Sequence, residues 1–244
     1  MKKKLLVLAA VFMLLFSFAG QAMASFDSLE LIQAVSQVSG TGTNEVLTDL
    51  GSFSSTAPIS GSTTYTNAIN LSNFGSGATL ANLEVQYFVA DTTNFDKVWL
   101  SGPTTGQQSA IAHGDAITGN MYSVYYQAQT HGGNPVVQAQ NPGDSSVYAM
   151  LENSGINRGG MAGFIAVGSA VANLGSGAVT QYLYYYGGNL DAAQSGLPVA
   201  MITTNADGST TVSAIPAVPI PAAVWLLGSG LMSLVGIRRR TTAV

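Results

Sequence analysis

The chain has 244 residues, of which only 8% are charged, against about a quarter in ordinary globular domains. Lys2, Lys3 and Lys4 lie at one end and Arg238, Arg239 and Arg240 at the other, so the body sets Lys97 and Arg158 against twelve acidic residues, a net charge of 2 − 12 = −10. That balance excludes nucleic acid as a partner and disfavours anionic membrane surfaces, and the absence of Cys excludes any disulfide framework.

Residues 1–24 read MKKKLLVLAAVFMLLFSFAGQAMA. A basic start, a hydrocarbon run from Leu5 to Ala19 and the small-x-small pattern Ala22-Met23-Ala24 form the layout of a secretory signal peptide. The expected route is the Sec translocon, with signal peptidase cutting between Ala24 and Ser25. No Cys follows that cut, so a lipoprotein anchor is excluded. About 190 residues then remain before the tail, enough for one large domain or two small ones held by packing and hydrogen bonds alone.

Residues 25–215 are expected to form an all-β, β-sandwich-like extracellular domain. Short apolar or β-branched segments recur at 29–35, 44–50, 63–71, 83–90, 96–101 and 121–129, then at 146–152, 163–168, 179–186, 198–204 and 209–215. Clusters such as GTGTN, DTTN, HGGNP and NADG separate them, supplying the Gly, Asn, Asp and Pro that turns need. Residues 106–119 and 157–174 read equally well as short helix or as strand and loop. Asn73-Phe-Gly-Ser-Gly-Ala before Leu83 is echoed by Asn173-Leu-Gly-Ser-Gly-Ala before Leu183, with six of eleven positions matching. Two half-domains, or two loops that each need glycine, both explain the echo.

Motifs for catalysis are scarce. There is no H-E-x-x-H, G-x-S-x-G, P-loop or EF-hand pattern. His113 and Asp115 are the best candidates for a hydrolase with an unfamiliar site, although a loop histidine beside a turn aspartate is the better account of them. His131 precedes Gly132-Gly133-Asn134-Pro135, where a turn suffices. Asp91, Asp96, Asp144 and Asp207 sit near turns and offer oxygen ligands of the kind Ca²⁺ takes, yet Asp is also simply a good turn residue. Tyr182, Tyr184 and Tyr186 fall on one strand face, with Tyr185 on the other. Tyr beside Asn, Gln and Asp is the material of glycan sites, and equally of cross-strand packing. Trp99, between Val98 and Leu100, reads as a packing anchor.

Residues 216–240 form the last unit. Ala222 to Ile237 is an uncharged run of sixteen residues, about 24 Å as a helix, slightly short for a bilayer core of about 30 Å but workable. Pro219 and Pro221 keep the approach extended, and the arginines match the positive-inside rule. Val218-Pro219-Ile220-Pro221-Ala222, the apolar run with Trp225, and Arg238-Arg239-Arg240 together resemble a PEP-CTERM sorting signal of the VPxPA type. The resemblance implies an exosortase, a membrane-embedded transpeptidase of Gram-negative bacteria, cutting near the Pro-x-Pro motif after transient inner-membrane anchoring. It further implies delivery to the cell surface or to an exopolysaccharide or biofilm matrix. Ile220 replaces the Glu of the commonest pattern, and the resemblance covers only the tail.

The expectation is therefore a non-enzymatic structural protein of the surface or matrix, with no cofactor beyond a possible Ca²⁺ and with extracellular polysaccharide as its possible partner. A glycan-binding or adhesin-like module using the Tyr-rich strands is the alternative, and a secreted hydrolase the third reading.

Overall fold

The computed structural model describes residues 26–37, 44–66, 69–102, 104, 125, 128, 134–139, 172–175, 177–187, 196–216, 226, 227, 229 and 232. The described strands are β1 (Glu30–Gln37), β2 (Asn44–Ser52), β3 (Ser62–Tyr65), β4 (Leu83–Ala90), β5 (Lys97–Gly102), β6 (Val136–Ala139), β7 (Ala172–Asn173), β8 (Val179–Gly187), β9 (Leu197–Thr204) and β10 (Thr210–Ser213). All join one antiparallel sheet in the order β3-β10-β9-β8-β5-β4-β1-β2-β6, with β7 paired to β4. The all-β class is therefore as expected. The layers arise from one sheet curling on itself, whereas a sandwich would use two.

Strand alternation builds a core on each face of this sheet. Leu31 and Val35 of β1, Val85, Tyr87 and Val89 of β4, Trp99 of β5 and Ile202 and Val212 from β9 and β10 fill the concave side. The residues between them, Ile32 and Ala34, Phe88 and Ala90, Val98 and Leu100, form an outer core with Tyr184 and Tyr186. Phe26, Tyr125, Ala128 and Val136 cover it. Burial on both faces explains why β4 reads LEVQYFVA, nearly continuous hydrocarbon without the apolar–polar rhythm of a half-exposed strand.

Inside the curl, two register pairs meet. Gln33 lies opposite Tyr87 across β1 and β4, and Thr204 opposite Thr210 across β9 and β10. The Tyr87 hydroxyl lies 2.6 Å from Thr204 Oγ1 and 3.1 Å from Thr210 Oγ1. Gln33 Nε2 donates to the Tyr87 hydroxyl at 3.0 Å and to Thr210 Oγ1 at 2.9 Å. Burial pushes the Tyr87 phenol above its ordinary value, against the three hydrogen bonds that lower it, so it stays neutral and able to donate.

Several boundaries differ from the sequence expectation. The segment 63–71 yields only the short β3, because Asn70 accepts hydrogen bonds from Ser72 N (3.1 Å) and Ser72 Oγ (2.8 Å) and starts a 3-10 turn over Leu71–Phe74. Tyr125 and Ala128, within the expected strand 121–129, are helical. Strands expected at 146–152 and 163–168 and the ambiguous segment 106–119 lie outside the described residues, as does 157–171. The β9–β10 turn depends on Gly208, whose φ is +86° and where a Cβ would collide with the backbone N of Ile69. The echoed loops carry one local role twice. Phe74 and Leu174 both enter the concave core, and Gly75 and Gly175 follow each with positive φ.

Replacing Tyr87 with Phe removes one hydrogen bond each from the buried Gln33, Thr204 and Thr210, at an expected cost of about 1–3 kcal/mol. Equilibrium denaturation of the variant against the wild type measures it.

Candidate functional site

Because the sheet curls without closing, its two ends approach each other across a groove. Thr48, Asp49 and Leu50 of β2 form one wall, and Thr64, Tyr65 and Thr66 at the end of β3 form the other. Asn134 and Pro135, ahead of β6, close one end of a space of about 490 Å³. Thr64, Thr66, Asn134 and Pro135 are exposed at its mouth, while Tyr65 is half-buried.

A bulge shapes the β2 wall. Ile32 pairs with Asp49 but Glu30 pairs with Ser52, so β2 carries one extra residue here, and Gly51 absorbs the kink with φ +99°. Asp49 Oδ1 accepts from Gly51 N at 2.7 Å. Asn134 then extends the ladder with its side chain: Asp49 N donates to Asn134 Oδ1 (3.1 Å) and Asn134 Nδ2 donates to Asp49 O (2.9 Å).

Glu30 lies near Asp49, and Glu30 Oε2 accepts from Asp27 N at 2.9 Å. Burial is the main cause that pushes the Glu30 carboxyl up to about 7. The hydrogen bond from Asp27 opposes the rise, while the contact with Asp49 and its charge add to it. Across the groove, burial first and the Asp49 charge second raise the Tyr65 phenol, which remains a neutral hydroxyl.

From the β3 wall a row of hydroxyls runs over the outer face. Thr64 pairs with Thr211, Thr211 with Thr203 and Thr203 with Thr180, so four neighbouring strands each present a threonine in register. Oγ1 atoms are 3.1 Å apart at Thr64 and Thr211 and 3.2 Å apart at Thr180 and Thr203. Thr64 and Thr180 are exposed and the two between them partly so.

The residues singled out in the sequence fall elsewhere. Tyr184 and Tyr186 are 2% and 1% exposed within the outer core, and Tyr182 packs against it. Their face of β8 lies in the covered outer core, so a stacking role for sugars at 184 and 186 is corrected to a packing role. Tyr185 lies on the opposite face, its ring centroid 5.0 Å from that of the fully buried Trp99. The Trp99 indole N–H donates to Ser55 O at 2.8 Å.

Asp91 is 2% exposed in the β4–β5 turn and accepts from Thr93 N (3.1 Å), Asn94 N (3.0 Å) and Asn94 Nδ2 (3.0 Å). Lys97 Nζ sits 3.4 Å from Asp91 and 3.1 Å from Asp96, so the turn carries its own cation. Asp207 accepts from Ser209 N and Oγ within the β9–β10 turn. Among the described residues no three His, Asp or Glu gather as a metal site. Asp144, His113, Asp115, His131, Ala22, Ala24 and Ser25 lie outside them, as do Val218 to Ala222, Trp225 and the three tail arginines.

At the C-terminal end Leu226, Leu227, Ser229 and Met232 are helical, and Ser229 Oγ donates to Leu226 O at 3.0 Å. The apolar three are 71%, 66% and 79% exposed. No helix among the described residues is long and apolar enough to cross a membrane. In comparisons with protein-family models, curated proteins and solved structures, nothing matches this chain.

The groove was invisible in the sequence because its walls, residues 48–50 and 64–66, meet only through the curl. The nearest signal was the Thr-rich composition of β3, β9 and β10.

Two pH effects of opposite sign follow. Glu30 is raised in the folded state, so its contribution to stability is full below its ordinary value of 4.5 and lost as pH rises to about 7. A Glu30→Gln variant is expected to flatten stability across that window in urea titrations at a series of pH values. Asp91 is depressed: burial opposes ionisation, but donors from Asn94, Thr93 and Lys97 outweigh it. Its contribution is present above the ordinary Asp value of 3.8 and lost as pH falls below it. Asp91→Ala is expected to cost about 2–3 kcal/mol at pH 7 and to weaken the acid dependence of thermal unfolding.

Proposed function

We propose that this protein is an exported structural component of the cell surface or of an exopolysaccharide matrix. On this reading residues 1–24 direct it through the Sec translocon and are removed by signal peptidase before Ser25. Residues 25–215 are a sandwich-like extracellular domain, the two halves of the curled sheet serving as its layers. Residues 216–240 anchor it transiently in the inner membrane until an exosortase-type transpeptidase cuts near Pro219-Ile220-Pro221. Its role is non-enzymatic.

The observation that carries the reading is the state of the tail. Leu226, Leu227 and Met232 are helical and exposed. An apolar helix left uncovered by its own domain calls for an apolar environment from elsewhere. Pro219 and Pro221 precede it and three arginines follow it, and a bilayer with a basic cytoplasmic stop has the fitting chemistry. A body with two basic against twelve acidic residues and a Ser-, Thr- and Asn-rich surface suits a hydrated, uncharged polymer around it.

Intact mass spectrometry of the protein from cells and from culture medium tests the reading. The expected species starts at Ser25 and ends between Pro219 and Ala222, with any glycan increments added. A mass that retains Ile237 to Val244 in every fraction refutes sorting and leaves a simple C-terminal anchor.

A further inference from the structure

We infer that the groove between β2 and β3, with the threonine row leading from it, is a binding track for an extended neutral polysaccharide. The inference deepens the matrix reading above and rests on it for where such a polymer is met.

Three observations carry it. The first is room: about 490 Å³ lies within the range of roughly 300–1,000 Å³ typical of ligand sites, with exposed residues at the mouth for a chain to run through. The second is chemistry. Thr48, Thr64, Thr66 and the half-buried Tyr65 bring hydroxyl groups to the walls and Asp49 an acceptor, with Tyr65 also packed against the concave core. Among the described residues no Lys or Arg lines the space, and Lys97 is tied to Asp91 and Asp96 in a different turn. Uronate-, sulfate- or phosphate-bearing chains would bring like charge to Asp49, whereas a neutral sugar brings hydroxyls that match the walls.

The third observation is alignment. Thr64, Thr211, Thr203 and Thr180 are successive register partners on strands about 4.8 Å apart, and their hydroxyls draw together as two pairs, Thr64 with Thr211 at 3.1 Å and Thr180 with Thr203 at 3.2 Å. The two pairs lie about two strand spacings apart, in a line of hydroxyls that leads away from the groove. The row begins on the groove wall itself, since Thr64 belongs to both. An extended peptide adding to the β2 edge fits less well, because the Asn134 amide already occupies the backbone N–H and C=O of Asp49.

The test is native affinity electrophoresis of the processed protein in gels containing dextran, galactomannan or hydroxyethylcellulose, with alginate as the polyanion. The expected result is retardation by at least one neutral polymer and none by alginate. Tyr65→Ala is expected to weaken the retarding affinity roughly fivefold or more. Thr64→Val and Thr211→Val, which exchange a surface hydroxyl for a methyl and keep a β-branched side chain, weaken it in the same direction should Tyr65→Ala fail to fold. Absence of retardation in all three neutral gels overturns the inference. So does equal retardation of wild type and all folded variants, or equal retardation by alginate. A protein that is cut and released as expected yet runs freely in every gel leaves the sorting reading standing and removes only the groove.

Discussion

The contact on which this architecture depends is the meeting of Gln33 and Tyr87 with Thr204 and Thr210 inside the curled sheet. Hydrocarbon burial is non-directional and would accept many curvatures. Four buried polar groups accept few, because each must find a partner or bear the desolvation cost. The pairs come from β1 and β4 on one side and β9 and β10 on the other. Their registry therefore fixes how far β10 swings toward β1, and with it the gap between β3 and β2. The groove is a consequence of where that swing stops.

The same curvature divides labour between the faces. Its central strands are buried on both sides and carry many of the large side chains, including Trp99, Tyr87 and the β8 tyrosines, while Phe26, Phe74 and Tyr125 pack onto them from outside the strands. Its far strands keep Thr and Ser outward. The one concentrated charge network among the described residues, Asp91 with Lys97, Asp96 and Asn94, is spent on holding the β4–β5 turn. Asp91, Asp96, Lys97 and Asp207 thus serve turns and Asp49 the bulge at Gly51, while the threonine row on the open face is neutral.

Strand positions were legible in the sequence where the apolar pattern was strong. Residues 83–90 match β4, 44–50 lie within β2, and 179–186 and 198–204 fall one residue short of β8 and β9. Legibility failed where a side chain overrode propensity, as when Asn70 turned the end of 63–71 into a 3-10 turn, and where a strand was as short as β6. The tyrosines of β8 were read correctly as alternating, but composition cannot say which face is covered, and here burial claims both. The threonine row escaped notice for a different reason. Four residues separated by up to 147 positions in the chain become neighbours only once register is known.

One small feature bears on life at high local density. A single open sheet has two terminal strands, and unpaired strand edges are where copies of a protein add to one another into fibrils. Here the β2 edge beyond β6 meets the Asn134 amide, which mimics the next backbone unit and is followed by Pro135, a residue with no N–H to extend the ladder. The β3 edge faces inward across the groove. The β2 edge is blunted where β6 ends, and a strand arriving from another copy finds no free ladder at Asp49 to extend.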